Sequence, residues 1–203
     1  YVILDSVERY DILTNSWVDL LPLPAPLNSH SAIAHKDLIY ISGGLSGQER
    51  QPVTSLYVFD PSKQTWETKA SMHCARRLHE MVNIGDDKIY VLGGIGTHSF
   101  HQQTQIPIES YSIATDQWTL LSHTLAGRSI GHFIAFQDKI LSIGREHYEA
   151  TEDDIWVYDP ESDTWKRYVK LTRRTGLATA SAVLLYINFH DEKVAKKLLS
   201  ERR

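Results

Sequence analysis

Ten histidines, one cysteine and a spaced set of arginines are the residues of this 203-residue chain with the most chemical potential. The histidines stand close in pairs at His30/His35, His73/His79 and His98/His101. No His-Glu-x-x-His, no Cys-x-x-Cys and no compact carboxylate cluster accompanies them, so they read as polar residues of loops and strands, and no metal is expected. Cys74 follows His73 and precedes Arg76 and Arg77, cations that could lower a thiol pKa. Neighbours on an extended segment point to opposite sides, however, so His73 is not placed as a base for Cys74, which reads as an incidental free thiol. The chain has no Gly-x-Ser-x-Gly and no phosphate-cradling glycine loop. Catalysis is not expected, and neither is a cofactor.

The arginines suggest recognition instead. Arg77, Arg128 and Arg173 each lie sixteen residues before positions 93, 144 and 189, and Leu27 breaks the series at the fourth place. Arg50 and Arg145 fall in a second set of polar segments with Tyr148, His98 and His101 nearby. Planar guanidinium donors beside aromatics suit an acidic or phosphorylated peptide held bidentately. The alternative is that these arginines cap strand ends, or pair with carboxylates such as Glu149, Glu152, Asp153 and Asp154.

What positions these residues is a repeat. An aromatic residue precedes a tryptophan by seven positions four times, at Tyr10/Trp17, Phe59/Trp66, Tyr111/Trp118 and Tyr158/Trp165; the tryptophans are 49, 52 and 47 residues apart. A fixed offset inside a loose period of about fifty marks one unit repeated, with variation confined to loops. Two copies carry a β-rich run closed by paired glycines, Gly43-Gly44 after Leu38–Ser42 and Gly93-Gly94 after Lys88–Leu92. The run Lys139–Arg145 keeps one glycine, and Leu184–His190 keeps none. Apolar stretches precede these runs at Ser31–His35, Glu80–Ile84, His132–Phe136 and Ala178–Val183. Polar loops follow, then Ser55–Asp60, Pro107–Ser112 and Asp154–Asp159. Each unit predicts strand, tight link, strand, loop, strand, hairpin, strand. Asp60-Pro61 and Asp159-Pro160 open two of the hairpins, proline presetting φ and aspartate reaching a backbone amide two residues on. The tryptophan that starts each return strand is expected between neighbouring sheets.

Paired glycines after an Ile-Tyr-Ile strand, an aromatic-Asp-Pro turn and a tryptophan at fixed offset together resemble the Kelch repeat. The resemblance spans residues 7–189 and implies an all-β Kelch β-propeller, with four-stranded blades around a central channel. Its phase gives three whole blades, at 30–69, 79–121 and 131–169, with an outer half-blade at 7–21 and an inner half-blade at 178–189. Kelch propellers usually carry about six blades, so the resemblance implies part of a six-bladed ring in preference to a closed four-bladed one. It also implies that Arg77, Arg128 and Arg173 stand on a rim facing the channel. The expected function is that of a non-catalytic protein-binding module, the substrate-recognition propeller of a cullin-3 ubiquitin ligase adaptor. Cullin-3 would be reached only through a BTB domain that is not in this chain. The alternative is a Kelch protein that binds actin or the cytoskeleton. A propeller enzyme is the third reading: the copper set of galactose oxidase-type propellers is not reproduced, and Glu161–Trp165 lacks the glycine of a sialidase Asp-box.

Bulk properties narrow the partners. Net charge is −4, which recruits neither nucleic acid nor an anionic membrane, and no apolar run is long enough to span a bilayer. The lone cysteine fits a reducing compartment, and a cytoplasmic location is expected. The tail, residues 190–203, holds five Lys/Arg against three Asp/Glu and predicts a short basic helix.

Overall fold

In the computed structural model the described residues are 3–47, 50–97, 106–123, 132–143 and 155–169. They form β-strands throughout, with no helix among them. The first hairpin joins β1 (Val7–Asp11) to β2 (Ser16–Leu20). The first full blade contains β3 (Ser31–His35) and β4 (Leu38–Ser42), then a small ribbon of β5 (Leu45–Ser46) and β6 (Gln51–Pro52), then β7 (Leu56–Asp60) and β8 (Thr65–Lys69). The second contains β9 (Arg77–Ile84), β10 (Lys88–Ile95), β11 (Pro107–Ser112) and β12 (Gln117–His123). The third contains β13 (His132–Phe136), β14 (Lys139–Ile143), β15 (Ile155–Asp159) and β16 (Thr164–Val169). Each full blade is an antiparallel four-stranded meander in chain order, while β1 and β2 pair only with each other. The expected strand–link–strand–loop–strand–hairpin–strand unit is therefore present three times. The β5–β6 ribbon, inside what reads as a loop, is an addition. The inner half-blade expected at 178–189 and the helix expected at 190–203 lie outside the described residues.

The seven-residue offset has a simple cause. Tyr10 faces Trp17 directly across the hairpin, as do Phe59 and Trp66, Tyr111 and Trp118, and Tyr158 and Trp165. Four loop residues separate the last paired positions, and the fourth turns the chain in the left-handed region: Asn15, Gln64, Asp116 and Asp163 have φ of 51°, 54°, 54° and 51°. The facing rings tilt against one another at 4.7 to 5.2 Å between centroids. The aspartate opening the hairpin accepts from the amide two residues on, at 2.9 Å from Leu13, 2.9 Å from Ser62 and 3.0 Å from Glu161. Serine stands at this place in the second blade, Ser112, and Asp87 substitutes from the neighbouring hairpin. Its carboxylate accepts from the Ala114 amide at 2.7 Å and the Ser112 hydroxyl at 2.9 Å.

The core lies between blades. Leu23, Leu27 and Ile41 pack with Val7 and Trp66 between the first hairpin and the first full blade. Tyr40, Leu56 and Val58 meet Ile89, Val91, Tyr111 and Trp118 across the next interface. Tyr90, Leu92 and Ile108 then meet Phe133, Ile140 and Tyr158. The aromatic–tryptophan pair of one blade thus packs on the blade before it, and β9 lies against both β3 and β13 along the inner edge.

Candidate functional site: the loop face

At one end of the first two full blades, the described segment that follows β4 meets the links that lead into those blades. Paired glycines make this possible. Gly43 (φ 57°) accommodates what a Cβ would strike, the Arg76 carbonyl at 2.5 Å and His79 Cε1 at 2.6 Å. The link at residues 70–78 therefore lies directly on the double-glycine turn, where the Gly44 amide donates to the Arg76 carbonyl at 2.8 Å. The Arg76 amide donates back to the Val53 carbonyl, the Met72 amide to Thr54, and the Leu78 amide to Ser29 of the preceding link. Asn28 and Leu45 exchange both backbone bonds, at 3.1 and 2.7 Å. The loop face is a continuous hydrogen-bonded platform.

Beneath it sits a buried charge cluster that the sequence reading did not single out. Arg76 and Glu109 are both fully buried and pair at 2.7 Å. The guanidinium also donates to the carbonyls of Cys74, Gly93 and Pro107. Glu109 accepts in addition from the His73 amide at 2.7 Å, from His73 Nδ1 at 2.9 Å and from the Cys74 amide at 3.0 Å. Burial works against the charge of Arg76 and Glu109 works for it. Gly93 and Pro107 flank the loop of the second blade, so Arg76 binds that loop's two feet to the preceding inter-blade link. The signal was present in retrospect: Glu109 is an acidic residue inside a run that otherwise reads as core strand.

Cys74 departs from what its neighbours suggest. Burial first, and the Glu109 carboxylate second, push its thiol up, outweighing the opposite pull of Arg76. His79 is buried, with Nε2 2.8 Å from Ser42 Oγ. Burial, with Arg76 and His30 adding like charge, pushes its pKa down to about 3, so it is neutral at pH 7. Further out, Glu80 on β9 accepts from the Phe133 amide at 2.5 Å and from His132 Nδ1 at 3.0 Å, tying the second and third blades.

Strand pairing revises the arginine series. The β9–β10 hairpin is one residue longer than its two counterparts, with Ile84 facing Lys88 where His35 faces Leu38 and Phe136 faces Lys139. Ser31, Glu80 and His132 hold one register position, facing Ser42, Leu92 and Ile143. Four residues earlier stand Leu27, Arg76 and Arg128, so Arg76 and not Arg77 occupies the place of Arg128 in the repeat. Leu27 and Arg76 are both buried there. Arg77 is half-buried on β9 opposite Ile95, and Arg50 is exposed beside the β5–β6 ribbon. Both belong to the loop face. Arg128, Arg145, Arg173, Tyr148, His98 and His101 lie outside the described residues. No three His, Cys, Asp or Glu side chains gather to hold a metal among the described residues. No helix among them is long and apolar enough to cross a membrane.

Repeated four-stranded antiparallel blades packed face to face, with a loop platform on one end, define a β-propeller scaffold. The model of the KLHDC2/KLHL20/DRC7 Kelch-repeats domain matches residues 2–188, and the chain belongs to the Kelch-repeat family. It is 32% identical to rat (Rattus norvegicus) Kelch-like protein 36 over 204 residues, covering 98% of this chain and 33% of that protein. Identity to human (Homo sapiens) Kelch-like protein 15 is 33% over 181 residues, covering 79% of this chain and 29% of that protein. The chain thus spans about a third of the length of the curated relatives it matches. The solved structure of YjhT shares the fold, with a TM-score of 0.62 at 15% identity over 78% of this chain and 57% of that one. The relatives mark a Kelch module of the protein-interaction kind, resembling the C-terminal propeller of BTB-Kelch proteins.

Proposed function

We propose that the loop face binds a short acidic or phosphorylated segment of another protein, with no chemistry of its own. In this reading the full-length protein presents that segment to a cullin-3 ubiquitin ligase in the cytoplasm. The observation that carries it is the hydrogen-bonded platform, with Arg50 exposed beside the β5–β6 ribbon and Arg77 at the start of β9. A platform locked by backbone bonds and by the Arg76–Glu109 pair presents loop side chains with little ordering cost on binding. The kinship to Kelch-like proteins 36 and 15 supports the ligase context.

The test is fluorescence anisotropy against peptide pools that are acidic, phosphorylated or neutral. Binding to an acidic or phosphorylated pool, weakened about tenfold or more by Arg50→Ala/Arg77→Ala with unchanged melting, is expected. Equal binding to all pools, or indifference to both substitutions, would sink the reading. For the full-length protein, co-purification with cullin-3 is expected. Cosedimentation with actin filaments in its place would favour the cytoskeletal alternative.

A further inference from the structure

Leu78, the second residue of β9, holds its backbone in the left-handed region, with φ 54°. Every other non-glycine residue held there, among the described ones, is polar. Asn15, Asp116 and Asp163 turn hairpins in this conformation, which short polar side chains adopt at low cost. Leucine does not. Its Cβ crowds the following carbonyl, a strain that asparagine or glycine would relieve.

The bend itself belongs to the platform. Its counterpart in the preceding link is Ser29, with φ 57°; Ser29 and Leu78 each stand two residues before the register position shared by Ser31 and Glu80. The Leu78 amide donates to the Ser29 carbonyl at 2.9 Å, so the two bends are joined. The fold therefore requires a left-handed residue at this place, and serine supplies it in one link. Burial does not repay the leucine in the other. Leu78 is 38% exposed, and the three buried clusters of the described residues do not include it. A lone exposed leucine is ordinary on a protein surface. An exposed leucine that also strains its backbone is not, and such outliers gather where ligands are held.

Resting on the peptide-binding reading of the loop face, we infer that Leu78 is its aliphatic contact, and that the bound segment carries an apolar side chain beside its acidic group. The chain sets the two halves of this contact next to each other. Arg77 immediately precedes Leu78 and faces Ile95, the residue after the second double-glycine turn. A carboxylate or phosphate held at Arg77 brings the flanking side chains of the bound segment to Leu78. Covering the exposed part of the leucine is worth about a fivefold change in affinity. The backbone bond to Ser29 fixes the position before binding, which keeps the ordering cost small.

Paired peptide pools test this by fluorescence anisotropy. All carry aspartate or phosphoserine; one pool of each pair has leucine at the flanking residues and the other has serine. The unaltered chain should prefer the leucine pools by about fivefold. Leu78→Asn should bind both pools of a pair alike, as tightly as the unaltered chain binds the serine pool. Its melting temperature should equal or exceed that of the unaltered chain, because asparagine tolerates the left-handed backbone. Three results would each overturn the inference while leaving acidic recognition in place. They are equal binding of leucine and serine pools by the unaltered chain, a leucine preference that survives Leu78→Asn, and a fall of several degrees in the melting of that variant, which would assign the leucine to packing. Failure of every pool to bind the unaltered chain would sink the peptide-binding reading, and the role of Leu78 with it.

Discussion

Arg76 and Glu109 are a buried ion pair whose value depends on both members being present. Arg76→Met leaves a carboxylate fully buried with its strongest partner gone, and a loss of about 3–5 kcal/mol is expected in urea unfolding. Arg76→Met/Glu109→Gln should lose less than Arg76→Met alone, because a buried amide carries no charge. His79 gives a pH signature. Its folded pKa of about 3 lies below the ordinary 6.5, so the unfolded chain binds the extra proton between those values. Its contribution to stability is complete above pH 6.5 and is lost as pH falls toward 3, at up to about 1.4 kcal/mol per pH unit. His30, lowered by burial, acts in the same direction. Stability measured at pH 7, 6 and 5 should fall more steeply for the unaltered chain than for His79→Leu; parallel curves would exclude His79 as the titrating group.

Among the elements, the double-glycine turn separates conformation from contact. Gly43→Ala and Gly94→Ala meet both a left-handed backbone and atoms at 2.5 and 2.8 Å, and each should cost well over the roughly 1 kcal/mol of the backbone alone. Gly85 has a similar φ of 64° with nothing within 4 Å, so Gly85→Ala should cost only about 1 kcal/mol. Thermal melts of the three variants check this, and equal losses would remove the close approach of the Arg76 and Arg77 carbonyls and of His79 as the reason for the glycines. The aspartate that joins one hairpin to the preceding blade is an element-scale device as well. Asp116→Ala leaves the Ala70 amide and the Tyr111 hydroxyl without their acceptor, and a loss of about 1–3 kcal/mol is expected.

At the scale of the molecule, stability is unevenly distributed because the described blades are unequally covered. The second full blade is covered on both faces, and β10 is buried along nearly its whole length. The first hairpin is mostly exposed on both strands. Hydrogen exchange should therefore be slowest in β10 and β11 and fastest in β1 and β2, with a span approaching the global unfolding free energy. Uniform protection would mean that the blades unfold as a single unit.

The repeat and the all-β class were legible in the chain because each rests on local chemistry. A fixed cross-strand pair, a left-handed fourth loop residue and an aspartate two residues from an amide all act within eight positions. Legibility ended where a residue's partner comes from another blade. The arginine spacing pointed to Arg77, whereas one extra residue in the β9–β10 hairpin transfers the equivalence to Arg76. Cys74 stands beside two arginines that could lower a thiol pKa, yet burial, followed by the Glu109 carboxylate from 35 positions away, raises it. Asp87 replaces a missing hairpin aspartate from 27 positions away. By itself the sequence determined the four strands of each full blade and their order, though not the β5–β6 ribbon, since backbone geometry and turn chemistry are local. Only the tertiary structure decided which charges are buried and paired and which loop feet are tied together, because burial and pairing belong to the contacts between blades.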